Sequence, residues 1–170
     1  NFADVVKHIL LVQLLNQLSQ KNKPFYALDA YGGRGLYSLS SEEARKTGEA
    51  EGGIKALLKL DDTKMAQAPA AVKDYLAGIK QAKATYDNKV YPGSPWWIAH
   101  HIEKNPDTGV RGEAFEAKAS EYDALNYQLY KLPIGIHHRD AFEGVTAVIP
   151  PAERRGLIFL DPPYEQEHKD

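Results

Sequence analysis

Asp161, Pro162, Pro163 and Tyr164 follow directly on the run Leu157, Ile158, Phe159, Leu160. Four apolar residues without polar alternation read as a strand buried on both faces. The two prolines forbid further ladder hydrogen bonds and stiffen the backbone. The outcome is a carboxylate held rigidly at the end of a buried strand, next to an aromatic ring. A second stretch with chemical potential is AYGGRG (30–35), a glycine-rich turn after the apolar strand 25–29. Gly32, Gly33 and Gly35 let a ligand approach the backbone closely. Their spacing is not GxGxxG, so a dinucleotide pyrophosphate is a poor fit. Asp29, at the end of that strand, can accept from an amine or a hydroxyl. A tight β–α connection is the plain alternative for the turn, and a strand stopping at prolines under a tyrosine is the plain alternative for the DPPY run.

These groups need elements to hold them. Residues 1–20 read as a helix, with Asn1 as a cap and Asp4 at the positive end of the dipole. A further helix is expected near 37–40 or after the Ser40-x-x-Glu43 capping signal. Three segments between 41 and 105 carry a helical apolar period, with turns at TGEAEGG and YPGSP. Strands follow at about 110–115, at 134–140 and at the final GLIFLD, with an amphipathic helix at KASEYDALNYQLYKL and a helix-and-loop crossover after Asp140. Strands alternating with helices predict an α/β fold with a parallel, doubly wound sheet. Ligands of such sheets lie outside the carboxyl ends of the strands, so Asp29, Glu116, Asp140 and Asp161 are expected along one edge. Glu116 is placed to grip ribose hydroxyls or, equally, to sit solvated at a helix start. Asp140 is placed to accept from an adenine amine or to cap the next helix. Of Trp96 and Trp97, one is expected in the core and the other along a pocket.

Composition sets bounds. The chain of 170 residues has no cysteine, so disulfides and thiolate metal sites are excluded. His137 and His138 are adjacent on a strand and face opposite ways; His100 and His101 are equally ill-placed, and no metal site is expected. The apolar segment 9–18 is too short to span a bilayer. A formal net charge of −2 argues against a protein that coats nucleic acid non-specifically. Arg34, Arg45, Lys46, Arg139, Arg154 and Arg155 are scattered, with solvation as the default role for each.

Asp-Pro-Pro-Tyr after a buried strand, with a glycine turn upstream, resembles the catalytic motif of amino-methyltransferases that use S-adenosylmethionine on adenine or cytosine. The chemistry suits the residues. An exocyclic base amine is a poor nucleophile because its lone pair is delocalised into the ring. A carboxylate and a fixed backbone carbonyl, both accepting from the amine, aim that lone pair at the methyl group. A tyrosine ring gives an unstacked base a platform.

NFADVVKH, LDAYGGRG, RKTGEAEGG, YPGSP and RRGLIFLDPPYE together resemble, nearly end to end, the bacterial 23S ribosomal RNA adenine-N(6)-methyltransferases of the J family. Some members carry the older label "protein involved in catabolism of external DNA". The resemblance implies a Rossmann-like S-adenosylmethionine-dependent fold in two parts, with residues 1–44 and 106–170 forming the methyltransferase domain and 45–105 an inserted helical subdomain. It implies S-adenosylmethionine as cofactor, with Lys7, His8, Asp29, Tyr31, Gly33, Gly35, Ser94, Glu116, Asp140 and Ala141 in its pocket. Tyr31 stands where relatives carry histidine, and Ala141 replaces the glycine of an Asp-Gly pair. Ser94 is equally well read as the N-cap of the helix it begins. Asp161 matches the catalytic acid, Pro162 the rigid carbonyl and Tyr164 the base-stacking ring. The expected partner is 23S rRNA free of ribosomal proteins, with no membrane and no metal, for a cytoplasmic monomer. The start at Asn1 and a sheet ending at its fourth strand lead to the expectation that the native protein is longer by several strands. The alternatives are a DNA adenine methyltransferase, which DPPY does not distinguish, and a nucleic-acid-binding protein for use of extracellular DNA, which would have no need of an intact DPPY.

Overall fold

The structure, a computed structural model, describes residues 2–39, 54–59 and 61–163. The capping roles read for Asn1 and Ser40 and the platform read for Tyr164 lie outside the described residues. The central sheet holds four parallel strands: β1 (Tyr26–Asp29), β4 (Arg111–Glu116), β5 (Gly135–His138) and β6 (Gly156–Phe159), in the order β5-β4-β1-β6. β1 is buried along its whole length, as its apolar run requires. Alternate residues feed two cores. Ala27 joins Val5, Leu11 and Leu15 of helix α1 (Phe2–Ser19), Trp97 and Ile98 of α5 (Ser94–Lys104), and Leu125 and Leu129 of α6 (Ala119–Leu129). Tyr26 and Leu28 instead meet Phe115, with Val145 and Val148 of α7 (Ala141–Val148). Helices therefore cover both faces, α1, α5 and α6 on one and α7 on the other. Between β2 (Leu36–Ser38) and β3 (Val90–Pro92) run α2 (Ile54–Leu58), α3 (Asp62–Gln67) and α4 (Ala70–Thr85), and α4 packs on α1.

Two expectations are corrected. The helix expected near 37–40 is replaced by strand: β2 pairs antiparallel with β3, so YPGSP begins as strand before it turns, and the alternative helix start after Ser40 lies outside the described residues. The Gly93 amide donates to the Gly35 carbonyl at 2.7 Å and extends this ribbon into the glycine turn. Nor does either tryptophan line a pocket. Both are buried, edge to face with centroids 5.0 Å apart, because α5 is enclosed by the sheet, α1 and α4. The Trp97 ring stacks on Tyr75 and fills the space left by the missing side chain of Gly78, where any Cβ would collide with it.

Gly35 (φ +79°) is closed off by the hydrophobic core: a Cβ there would lie 2.7 Å from Leu125 and 3.1 Å from Leu129 of α6. Left-handed strain and overpacking each cost about 1–3 kcal/mol. Gly35→Ala is therefore expected to lower stability by about 2–4 kcal/mol in urea unfolding.

Candidate active site

Because the four strands are parallel, their carboxyl ends share one edge. The chain leaves β1 and returns at β4 on one side; from β5 it crosses back through α7 to β6 on the other. The boundary between β1 and β6 is thus the topological switch point, where open α/β sheets bind ligands. Asp29 ends β1, and Asp161 follows β6 by two residues, so both lie at that boundary.

Asp29 is completely buried. Its Oδ1 accepts from the Tyr31 amide at 3.0 Å, which bends the chain into the glycine turn. Its Oδ2 has no hydrogen-bond partner among the described residues. The Ser94 hydroxyl lies beside the carboxylate and favours its ionised form, without closing a bond of full geometry to Oδ2. Burial pushes the carboxyl up to about 6, against the pull of Ser94 and the Tyr31 amide; the negative charges of Asp161 and Glu116 add to the rise. Three carboxylates thus converge on the glycine turn. A buried carboxylate oxygen left without a donor marks a place for a ligand's own N–H or O–H group.

Glu116 is stitched to the turn. Oε2 accepts from the Gly33 amide at 2.8 Å and Oε1 from the Lys118 amide at 2.7 Å, and each oxygen keeps a second lone pair for a ligand hydroxyl. Gly33 has φ +58°, and the Tyr37 hydroxyl fills the position of its absent Cβ. Ser94 does not cap α5: Gly93 is the N-cap, which frees the buried Ser94 hydroxyl to face Asp29. Asp140 does cap α7, its Oδ1 accepting from Phe142 N at 2.9 Å and Glu143 N at 3.1 Å, with Ala141 buried behind it.

Lys7 comes from α1 to the same edge. Its Nζ lies 2.5 Å from Asp161 Oδ2 and 3.2 Å from Asp4 Oδ1. Burial works against its charge, but the Asp161 and Asp4 carboxylates outweigh it and hold the ammonium above its ordinary range. The pair is open to solvent, with side chains 34% and 25% exposed, so an entering ligand can reach Asp161. Pro162 is half-buried beside it. His8, next in sequence to Lys7, turns inward: its ring is buried against Tyr91 and Trp97, and burial lowers its pKa to about 4. Sequence reasoning missed Tyr37 and Asp4 as neighbours of the site. Tyr37 carries no signal in the sequence, whereas Asp4 stands one helical turn from Lys7, a spacing that brings the two side chains together.

Among the described residues no cluster of three or more His, Cys, Asp or Glu side chains is arranged to hold a metal ion, and no helix is long and apolar enough to cross a membrane.

Residues 22–170 match the family described as "Ribosomal RNA large subunit methyltransferase D, RlmJ". The chain belongs to this family. Ribosomal RNA large subunit methyltransferase J of Escherichia coli (strain K12) is 35% identical over 168 residues, and that of Haemophilus influenzae 39% over 170. These alignments take in 98% and 97% of this chain but 57% and 56% of the relatives, so the chain spans just over half their length. A crystal structure of protein LPL1258 from Legionella pneumophila superposes with a TM-score of 0.79 at 34% identity, covering 98% of this chain and 58% of that one. That likeness bears out the α/β fold with its mostly parallel sheet.

Proposed function

We propose that this chain forms the methyl-donor and catalytic half of an rRNA adenine-N(6)-methyltransferase acting on 23S rRNA. The observation that carries the reading is the placement of Asp161, two residues past β6 and paired with Lys7, at the β1–β6 boundary where β1 ends in the buried Asp29 with Oδ2 unpartnered among the described residues. The residues fit S-adenosylmethionine: Asp29 Oδ2 lacks a donor, Glu116 retains lone pairs for ribose hydroxyls, and Gly33 and Gly35 keep the turn free of side chains. Lys7, His8, Tyr31, Ser94, Asp140 and Ala141 complete the pocket in this reading. Bound there, the sulfonium supplies an electrophilic methyl group and no metal is needed.

The protein's own work is orientation. The Lys7 ammonium engages Asp161 Oδ2, which leaves Oδ1 to accept one N–H of the adenine amine. The Pro162 carbonyl, fixed by two successive prolines, accepts the other, and the lone pair is turned out of conjugation. Asp161 then receives the proton that the methylated amine sheds; the acidity of that ammonium asks little of the base. Tyr164 supplies the stacking face. Helices α2–α4 form the insertion beside the cleft, whereas α5 belongs to the layer packed on the sheet. The protein works as a cytoplasmic monomer.

The test is incorporation of labelled methyl from S-adenosylmethionine into large-subunit rRNA stripped of protein, with plasmid DNA in parallel. The expected result is label in rRNA adenine. Label in DNA alone establishes the DNA methyltransferase alternative, and label in neither, with calorimetric binding absent, refutes the reading.

A further inference from the structure

A buried chain of hydroxyl groups stands behind the pocket and takes no part in the chemistry above. Tyr75 Oη lies 3.1 Å from Tyr91 Oη, which lies 3.0 Å from Nδ1 of His8. Tyr75 is fully buried, and Tyr91 and His8 are nearly so. The three residues belong to three elements: α4, β3 and α1. Two of them border site residues. His8 is next to Lys7, and Tyr91 lies in the strand that runs through Gly93, bound to Gly35, into Ser94.

The direction of the two hydrogen bonds follows from the protons. Burial holds His8 neutral at pH 7, so its ring carries one proton. Among the described residues the Tyr75 hydroxyl has the Tyr91 hydroxyl as its one hydrogen-bond partner. If Tyr91 donated to Tyr75, the Tyr75 proton would be buried without an acceptor, which costs the full desolvation of that group. Tyr75 therefore donates to Tyr91, and Tyr91 donates to His8 Nδ1. An Nδ1 that accepts carries no proton, so the neutral imidazole is protonated on Nε2.

We propose that Tyr91, backed by Tyr75, is a positioning residue for methyl-donor binding: its hydroxyl holds His8 as the Nε2–H tautomer and clamps α1 to the strand that leads into Ser94. The tautomer makes His8 a donor at Nε2, the form suited to a ligand carboxylate. The clamp sets Lys7 and Ser94 in one register. The positioning role rests on the S-adenosylmethionine reading; the order of the hydrogen bonds does not.

Tyr91→Phe removes the central hydroxyl and keeps the ring; Tyr75→Phe removes only the outer donor. In ligand-free protein, nitrogen NMR of labelled histidine is expected to show His8 protonated at Nε2 in the wild type and in Tyr75→Phe, with the preference lost in Tyr91→Phe. Calorimetry with S-adenosylmethionine is expected to show affinity lower by on the order of 10-fold in Tyr91→Phe and by no more than about 3-fold in Tyr75→Phe. A purely structural role would weaken binding alike in both variants and would overturn the proposal. So would an Nδ1-protonated His8 in the wild type, or wild-type affinity in Tyr91→Phe. A wild type with the expected tautomer that binds no S-adenosylmethionine refutes the methyl-donor reading, and the positioning role with it, but leaves the hydrogen-bond order standing.

Discussion

Asp161→Asn is expected to reduce the single-turnover rate of methyl transfer by on the order of 10³-fold, the usual scale for loss of a positioned proton acceptor. Cofactor affinity is expected to change by less than about 5-fold. The substitution preserves shape, which makes it informative. An amide has one accepting oxygen, and its NH2 group repels the N–H of a base amine. Lys7 also loses the carboxylate it meets at 2.5 Å. Little stability should go with it, because a partly exposed ion pair is worth about 0–1 kcal/mol. Quench-flow with labelled S-adenosylmethionine checks the rate and urea unfolding checks the fold. A variant that retained a tenth of the rate would remove Asp161 from the chemistry.

Asp29→Asn is expected to act in opposite directions on stability and binding. The folded carboxyl titrates at about 6 against an ordinary 3.8, chiefly because it is fully buried. The folded state therefore holds this proton more tightly than the unfolded chain does. Asp29 costs nothing well below pH 3.8, where both states are protonated, and its destabilisation grows as pH rises to about 6. Two units correspond to about 2–3 kcal/mol. Asparagine keeps an oxygen for the Tyr31 amide and removes the buried charge. Urea unfolding at pH 7.5 should accordingly show Asp29→Asn more stable than wild type by up to about 2–3 kcal/mol, with the difference vanishing well below the ordinary carboxyl value of 3.8. Calorimetry should show S-adenosylmethionine bound at least 10-fold more weakly, since the anionic acceptor is gone. Opposite signs for stability and binding are the mark of the trade-off between a stable fold and a working site.

The sheet was legible because Phe25 to Leu28 and Leu157 to Leu160 are unbroken apolar runs that each stop at an acid. The expectation of burial on both faces holds for β1 but not for β6, whose residues Leu157 to Phe159 are only half-buried and are followed by an exposed Leu160, because β6 has a strand neighbour on one side only among the described residues. Parallel order then carries those acids to one edge whatever the loops do. The β2–β3 ribbon was not legible. Its strands have three residues each, and their partners lie far apart in sequence, so no local period announces the pairing. Burial of Trp97 depends on Gly78 of α4, a contact no helical wheel of α5 contains. Ser94 sat at a helix start, where the sequence gives capping and ligand contact equal standing; the preceding glycine resolves it by taking the cap itself. His8 carried a motif signal, but its inward turn toward Tyr91 is a property of packing between α1 and β3.

The most direct measurement is a structure of the protein bound to S-adenosylmethionine. The transferable methyl group is expected over the glycine turn, on the Asp161 side of Asp29, with room between methyl and carboxylate for an amine nitrogen about 3–3.5 Å from the methyl carbon. A donor bound away from the β1–β6 boundary, with Asp29 Oδ2 still unpartnered and Asp161 facing no methyl group, would contradict the account.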